Sequence, residues 1–272
     1  MKKFYTILLI SCTLVFFHCN KELEYSYTPQ YQEDYLIYNE VEENDTIMLL
    51  VQGGPSDELV PEEYISDLIY FFPYTLAVVH QTQTKDPSIL NQYYLTDEGA
   101  KEINDESTEI LNNTIEHFKK EGKHVIVFGG SFGSFLGFRT IERYGFTADH
   151  YALMLGRVDM DQEFVSIFRN RRWGIYNLGE IIEGEQYIAD DSAWASQKLM
   201  ADVGSPQYSQ LLKGKDLSKL IYLHRFSDES VGKTKEAEIE FLVAHGATVF
   251  GSPGYHNFDE TEYQQVLQFV RK

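Results

Sequence analysis

Short apolar segments alternate along the chain with segments of helical periodicity. The predicted strands cover residues 35–39, 46–51, 75–80, 125–128, 151–155, 220–223 and 247–250. The predicted helices cover residues 61–71, 101–120, 132–144, 233–245 and 260–270. Strands that alternate with helices predict an α/β fold, in which helices flank a mostly parallel central sheet.

Two regions depart from this alternation. The first two strands, joined by a turn at residues 43–45, predict a hairpin-like start. Residues 157–215 show helical and irregular patterns, with no clear strand between 160 and 212, and predict a small helical cap inserted between two strands. We expect one domain over residues 35–272, because no repeat or linker-like composition divides it. Residues 20–34 are polar and are predicted to be a tether.

The N-terminal segment has the layout of an export signal. Lys2 and Lys3 make the start of the chain basic, and residues 4–17 are almost continuously apolar. This apolar run is shorter than the roughly 20 residues that a membrane-spanning helix needs. The sequence then becomes polar at Cys19. Residues 1–19 resemble a bacterial lipoprotein leader, in which Cys19 would carry the lipid and attach the protein to a membrane of the cell envelope, outside the cytoplasm. Cleavage at Cys12 would leave too short an apolar core, whereas an ordinary cleaved signal or an uncleaved anchor stays an alternative.

Cysteine content and charge exclude several kinds of chemistry. The chain has two cysteines, Cys12 and Cys19, so the rest of the sequence holds no disulfide, no cysteine nucleophile and no cysteine-based metal site. The formal net charge of −19 disfavours binding to nucleic acid and to anionic membrane surfaces. The sequence implies no metal and no cofactor, and it does not predict an oligomeric state.

The most specific motif lies between a predicted buried strand and a predicted helix. Residues 128–134 read F-G-G-S-F-G-S, which contains the G-x-S-x-G pattern of a nucleophile elbow around Ser131. The glycines at 129 and 133 let neighbouring backbone pack closely while Ser131 adopts a strained conformation. The amides at the start of the next helix favour negative charge that develops nearby. Ser131 is therefore the candidate nucleophile.

The chain order of the other polar residues fits a catalytic triad. A serine hydroxyl needs a base, and behind such an elbow an acid comes next in the chain and a histidine last. Asp228 follows the strand at 220–223, and His256 lies in a turn-rich loop after the last strand. Glu229 and Asp159 are alternatives for the acid.

Stabilisation of an oxyanion requires preset backbone N–H groups. The amide of Phe132, directly after the nucleophile, is one candidate donor. The second donor is expected from the loop that follows the strand at 46–51 and reads Q-G-G-P over residues 52–55. Glycines there let the chain approach a substrate closely.

Together these two glycine motifs resemble the proline iminopeptidase branch of the α/β-hydrolases, whose motifs read H-G-G-P-G and G-G-S-W-G-S. The resemblance implies the α/β-hydrolase fold, triad roles for Ser131, Asp228 and His256, and an oxyanion hole made by the amides of Gly54 and Phe132. The sequence departs from that branch where Gln52 replaces histidine and Ser56 replaces glycine. The D-Q-R-G-x-G-x-S segment of the branch is absent, and residues 79–84 read V-H-Q-T-Q-T in its place.

The resulting hypothesis is a serine hydrolase that cleaves an ester or a small peptide or amide bond through an acyl-enzyme on Ser131. One alternative is an aminopeptidase similar to proline iminopeptidase. A second is an acyltransferase that uses the same triad. A third, from another class, is a non-catalytic surface-binding protein that has kept the fold.

The lipid anchor is directly testable. Cells that express the full chain should incorporate labelled palmitate into the protein, and Cys19→Ser should abolish the incorporation because it removes the acceptor thiol. Cys12→Ser is the matched control and should leave labelling intact. Labelling that persists in Cys19→Ser would overturn this assignment.

Overall fold

A computed structural model describes residues 30–31, 33–38, 40, 44–60, 62–91 and 94–271. The predicted leader and the lipidation site at Cys19 lie outside these residues. Among the described helices, none is long and apolar enough to cross a membrane.

An eight-stranded sheet forms the centre of the molecule. Its strands are β1 (Gln30–Tyr31), β2 (Tyr35–Tyr38), β3 (Thr46–Val51), β4 (Thr75–Val79), β5 (His124–Gly130), β6 (His150–Met154), β9 (Leu220–Arg225) and β10 (Thr248–Ser252). The order across the sheet is β1-β2-β4-β3-β5-β6-β9-β10. The six strands from β4 to β10 are parallel, and β1 and β2 add an antiparallel edge.

Helices cover both faces of this sheet. They are α1 (Glu62–Phe71), α2 (Thr82–Lys85), α3 (Asp97–Lys120), α4 (Phe132–Tyr144), α8 (Glu236–Ala244) and α9 (Glu260–Val270), together with a 3₁₀ turn at Pro87–Asn91. Along β3, Met48 and Leu50 point to the face covered by α1 and α9, whereas Leu49 and Val51 point to the face covered by α3 and α4. Both faces of the central strands are therefore buried, which explains their continuous apolar sequences. The predicted α/β class is confirmed.

The predicted hairpin at the start of the domain is wrong. β2 and β3 both form, but β4 lies between them: β2 pairs antiparallel with β4, and β3 pairs parallel with its other side. Every residue of β4 is buried, so its backbone N–H and C=O groups need a partner strand on each edge. The central residues of β2 are only half buried, which suits a strand nearer the edge of the sheet. The sheet also begins earlier than predicted, because β1 lies within the segment interpreted as a tether.

The insertion between β6 and β9 forms a cap that contains strands as well as helices. It comprises α5 (Gln162–Arg169), β7 (Arg172–Asn177), β8 (Glu180–Tyr187), α6 (Asp191–Gly204) and α7 (Tyr208–Leu211). β7 and β8 pair as an antiparallel hairpin, so the prediction of a strandless insertion is wrong. The two turn residues, Leu178 and Gly179, both have positive φ, of 52° and 89°. Such turns usually carry Asn-Gly or Asp-Gly, and leucine in the first position hides the turn from sequence analysis.

A buried ion pair holds the first residues of the cap insertion against α8. Arg157 and Glu238 are 1% and 3% exposed, and Arg157 Nε donates to both carboxylate oxygens at 3.0 Å. Glu238 also accepts the backbone N–H groups of Val158 and Asp159, each at 3.1 Å. Burial alone lowers the pKa of Arg157, but the hydrogen bonds and charge of Glu238 outweigh burial and raise that pKa. Arg157 Nη1 donates to the Val231 carbonyl at 3.2 Å, so the pair also connects the cap to the loop after β9.

Removing one partner of this pair should destabilise the protein strongly. Glu238→Gln leaves the Arg157 charge buried with weaker compensation, and we expect a loss of about 3 kcal/mol in the free energy of unfolding. Denaturant unfolding of the full chain measures this. Glu240→Gln, two residues further along α8 and exposed, is the matched control and should change stability by less than about 0.5 kcal/mol. Equal stability of the two variants would contradict this interpretation of the pair.

Candidate active site

Ser131 occupies a strained turn between β5 and α4. Its φ of 51° and ψ of −117° lie outside the regions that non-glycine residues prefer. The turn is possible because its glycines touch other backbone: a Cβ on Gly133 would lie 2.0 Å from the Val51 carbonyl oxygen, and one on Gly129 would lie 2.7 Å from the Gly133 oxygen. The amide of Ser131 donates to the Met154 carbonyl at the end of β6, at 2.8 Å. The geometry of a nucleophile elbow is therefore present at the predicted position.

The structure brings the three predicted triad residues together. His256 Nε2 lies 2.9 Å from Ser131 Oγ, and His256 Nδ1 lies 2.7 Å from Asp228 Oδ2. When Nδ1–H donates to the carboxylate, Nε2 is left to accept the serine proton. The other carboxylate oxygen of Asp228 accepts the amides of Ser230 and Val231, each at 2.9 Å. These bonds fix a carboxylate that is 5% exposed.

The two alternative acids occupy other positions. Glu229 contacts His256 through the backbone, because its Oε2 accepts the His256 amide at 3.2 Å. Asp159 binds Ser209 in α7, with its Oδ1 accepting the Ser209 amide at 3.0 Å. Asp228 is the carboxylate that meets the imidazole ring.

His224 lies close to the loop that follows β9 and carries Asp228, called the acid loop below. Its surroundings differ from those of His256. It lies within β9, is 6% exposed and stacks on Tyr222 at 6.0 Å between ring centroids. Burial, and then the charge of Lys233, lower the pKa of His224.

Arg225 organises the loop that carries His256, and sequence analysis missed it. This residue ends β9 and is 3% exposed. Its guanidinium donates to the carbonyls of Pro253 at 2.6 Å and Asn257 at 2.8 Å, which bracket His256 on both sides. Gly254 passes so close that a Cβ there would lie 3.2 Å from Arg225 Nη1.

The charge of Arg225 is compensated inside the protein. Glu262, in the first turn of α9, is 2% exposed and accepts from Arg225 Nη2 at 3.0 Å. Ser252 links the two, because it accepts from Arg225 Nη1 at 2.8 Å and donates to Glu262. This network ties the loop of the histidine to both β9 and α9, so the position of the imidazole depends on side chains far from Ser131 in sequence.

The predicted oxyanion loop, residues 52–55, lies against Ser131. A Cβ added to Gly53 would lie 3.3 Å from Ser131 Cβ, which shows how closely the two segments approach. Gly54 follows with φ of +133°, a conformation that favours glycine. Phe132 is the first residue of α4, where a helical N–H has no acceptor within the helix.

Gln52, which replaces the histidine of the resembled motif, holds this loop in place. Its Nε2 donates to the Glu58 carbonyl and its Oε1 accepts the Val60 amide, both at 2.8 Å. Gln81 Nε2 donates to the Gln52 carbonyl at 2.8 Å. Gln81 belongs to the segment that stands where D-Q-R-G is absent, so the two departures from the resembled pattern contact each other directly.

A cavity of about 350 Å³ opens between the cap and these loops. Gly54 and Pro55 line it from the oxyanion loop, and Glu229 and Ser230 line it from the acid loop. The opposite wall comes from the cap, from residues of α5, β7 and α6. The Tyr176 amide in β7 donates to the Glu229 carbonyl at 2.9 Å, so the hairpin is attached to the acid loop. Within the described part of the chain, no group of three or more histidine, cysteine or acidic side chains is arranged to hold a metal ion.

Comparison with solved structures identifies the fold. No family model matches the sequence, and no curated protein matches it. MGS-M2, an α/β-hydrolase enzyme from a Medee basin deep-sea metagenome library, is similar with a TM-score of 0.59 and 11% identity over 90% of this chain and 98% of that one. A highly thermostable carboxyl esterase from Bacillus coagulans gives 0.55 and 11% over 90% and 96% of the two chains.

A third structure of this kind, a puromycin-hydrolyzing peptidase from Mycobacterium tuberculosis, gives a TM-score of 0.55 and 13% identity over 90% of this chain and 38% of that one. Identities this low carry information about the fold alone. The chain has the α/β-hydrolase fold, with its mostly parallel sheet and flanking helices, as the glycine motifs and the alternation of elements predict.

Proposed function

We propose that this protein is a serine hydrolase that cleaves an ester or a small peptide or amide bond through an acyl-enzyme on Ser131. The observation that carries the proposal is the continuous chain of contacts from Asp228 to His256 to Ser131, with separations of 2.7 and 2.9 Å. A chance surface cluster would not combine this chain with a strained serine at a helix N-terminus and a glycine loop against it.

In the proposed reaction His256 removes the proton of Ser131 as the hydroxyl oxygen attacks the substrate carbonyl. Asp228 orients the imidazole and stabilises the positive charge that forms on it. The amides of Gly54 and Phe132 donate to the oxyanion of the tetrahedral intermediate. His256 then protonates the leaving group, and water attacks the acyl-enzyme by the same route to release the acid.

The proposed function covers two classes of bond, esters and small peptides or amides. The carboxyl esterase and the puromycin-hydrolyzing peptidase among the similar structures represent the two kinds of reaction on this fold. The cavity between the cap and the loops of Gly54 and Glu229 is lined largely by apolar side chains, including Phe168, Trp173 and Met200, and this supports a substrate with an apolar portion.

One observation supports a second candidate, an aminopeptidase of the kind that the resemblance to proline iminopeptidase implies. Glu229 lines the cavity and is half buried, yet within the described residues it has no basic side chain in salt-bridge contact. A carboxylate in this position would attract a substrate ammonium group.

Labelling with a fluorophosphonate tests the main proposal. The full chain should be modified stoichiometrically at Ser131, as read by intact mass and peptide mapping, and Ser131→Ala should not react. Asp228→Asn should slow labelling by about 10⁴-fold, because the imidazole loses the carboxylate that holds its tautomer. Glu229→Gln is the matched neighbour and should slow it by less than about tenfold, since the Glu229 carboxylate accepts the backbone amide of His256 and does not bond to its ring.

Two outcomes would redirect this assignment. A folded protein that stays unlabelled would support the non-catalytic binding alternative. Labelling combined with preferential transfer of an acyl group to an added alcohol or amine, rather than to water, would support the acyltransferase.

The aminopeptidase candidate predicts a preference that depends on Glu229. Aminoacyl and prolyl arylamides should be cleaved, and Glu229→Gln should lower their kcat/KM relative to that of a short acyl ester by about tenfold or more, because a charge-assisted contact with the ammonium is lost. Glu185→Gln, on the exposed face of the cap hairpin, is the control. Turnover of esters alone would retire the aminopeptidase.

A further inference from the structure

One wall of the cavity contains a buried amide whose polar atoms are unpaired. Gln197 belongs to α6, is 6% exposed and lines the cavity. Neither its Nε2 nor its Oε1 has a hydrogen-bond partner among the residues that the structure describes. Buried polar side-chain atoms are almost always paired, because an unpaired one destabilises the folded state. This exception at a cavity wall points to a ligand.

Each of the other buried side-chain amides in the described ranges pairs at least its nitrogen, and the oxygens of Gln83, Asn104 and Asn112 have no partner. Gln52 is 3% exposed and pairs with Glu58 and Val60. Gln81 is 1% exposed, donates to the Gln52 carbonyl and accepts from Gln83. Among the buried amides in the described ranges, Gln197 alone lacks partners for its nitrogen and its oxygen together.

The surroundings of Gln197 restrict the chemistry of such a ligand. Phe168, Trp173, Ile175 and Met200 contribute apolar surface to the same cavity. A side-chain amide offers one kind of donor and one acceptor and carries no net charge. A primary amide matches both atoms, because its carbonyl and one of its N–H bonds point to the same side, whereas a ketone or an ester matches only the donor, and a hydrocarbon matches neither. A charged group would find no opposite charge on Gln197.

We propose that Gln197 is a specificity-determining residue that binds a neutral primary amide at the end of an otherwise apolar part of the substrate. The Nε2 group donates to the carbonyl of that amide, and Oε1 accepts from its N–H. The assignment of this amide to a substrate rests on the proposed hydrolase function. The binding of an amide in the cavity does not depend on that function.

Binding to a chain without the nucleophile tests the inference separately from catalysis. In the full chain with Ser131→Ala, hexanamide should bind about tenfold more tightly than 2-heptanone, its isostere without the N–H groups, as measured by ligand-observed NMR titration. Adding Gln197→Met should remove this difference. Gln210→Met, the same change at an exposed position of α7, should preserve it. An unchanged affinity ratio in the Gln197→Met chain would overturn the proposal, whether or not Ser131 reacts with a fluorophosphonate.

A stability measurement distinguishes this role from a structural one. Methionine has a similar length and removes both unpaired atoms, so Gln197→Met should raise the melting temperature by about 2–4 °C. A variant that is more stable but loses the amide preference is expected of a binding residue. A melting temperature that falls by a comparable amount would show that Gln197 supports the fold and would overturn the proposal.

Turnover tests the link to the substrate. In the active chain, the ratio of kcat/KM for p-nitrophenyl 5-carbamoylpentanoate to that for p-nitrophenyl 6-oxoheptanoate, its methyl ketone analogue, should fall about tenfold in Gln197→Met. Amide binding without a change in this ratio would overturn the assignment of Gln197 to substrate specificity.

Discussion

The contact between the start of α4 and the end of β3 is the constraint on which the site depends. Gly133 lies so close to Val51 that a side chain at this position would overlap the Val51 carbonyl. This approach fixes how far the helix can sit from the sheet, and therefore where the strained turn presents Ser131. It also brings Gly53 against Ser131, so the positions of Ser131 and of the loop at residues 52–55 are set by one packing contact.

Two buried arginines extend this arrangement outward from the strand ends. Arg157 follows β6 and binds Glu238, while Arg225 ends β9 and binds Glu262. Buried ion pairs contribute little net stability compared with well-packed apolar groups, but they impose a defined geometry. Arg157 fixes the beginning of the cap, and Arg225 fixes the loop of His256. The same kind of interaction therefore positions both the cap and the loop of His256.

Much of this organisation could be predicted from the sequence, since it follows from local patterns. The elbow at Ser131 and the closing helix α9 have local signatures, and α9 has the predicted bounds. The neighbour of β2 could not be predicted, because a short half-buried strand can pair with any exposed edge. The cap hairpin was missed because Leu178 occupies a turn position where asparagine or aspartate is usual.

Arg225 and Gln197 were missed for a different reason. A single arginine after a strand, or a glutamine in a helix, has no distinctive pattern, and its importance comes only from partners brought together by the fold. The partners of Arg225 lie 27 to 37 residues further along the chain. Gln197 is notable for the partners it lacks, which no sequence pattern reports.

The placement of the cap has a consequence for how such a protein diversifies. β6 and β9, between which the cap is inserted, are adjacent parallel strands, with Tyr151 opposite Leu220. Ser131, Asp228 and His256 all lie outside the inserted segment. Mutation, exchange or resizing of the cap can therefore reshape one wall of the cavity while the contacts among Ser131, Asp228 and His256 are inherited unchanged, so descendants of one ancestor can diversify the cavity without rebuilding this cluster.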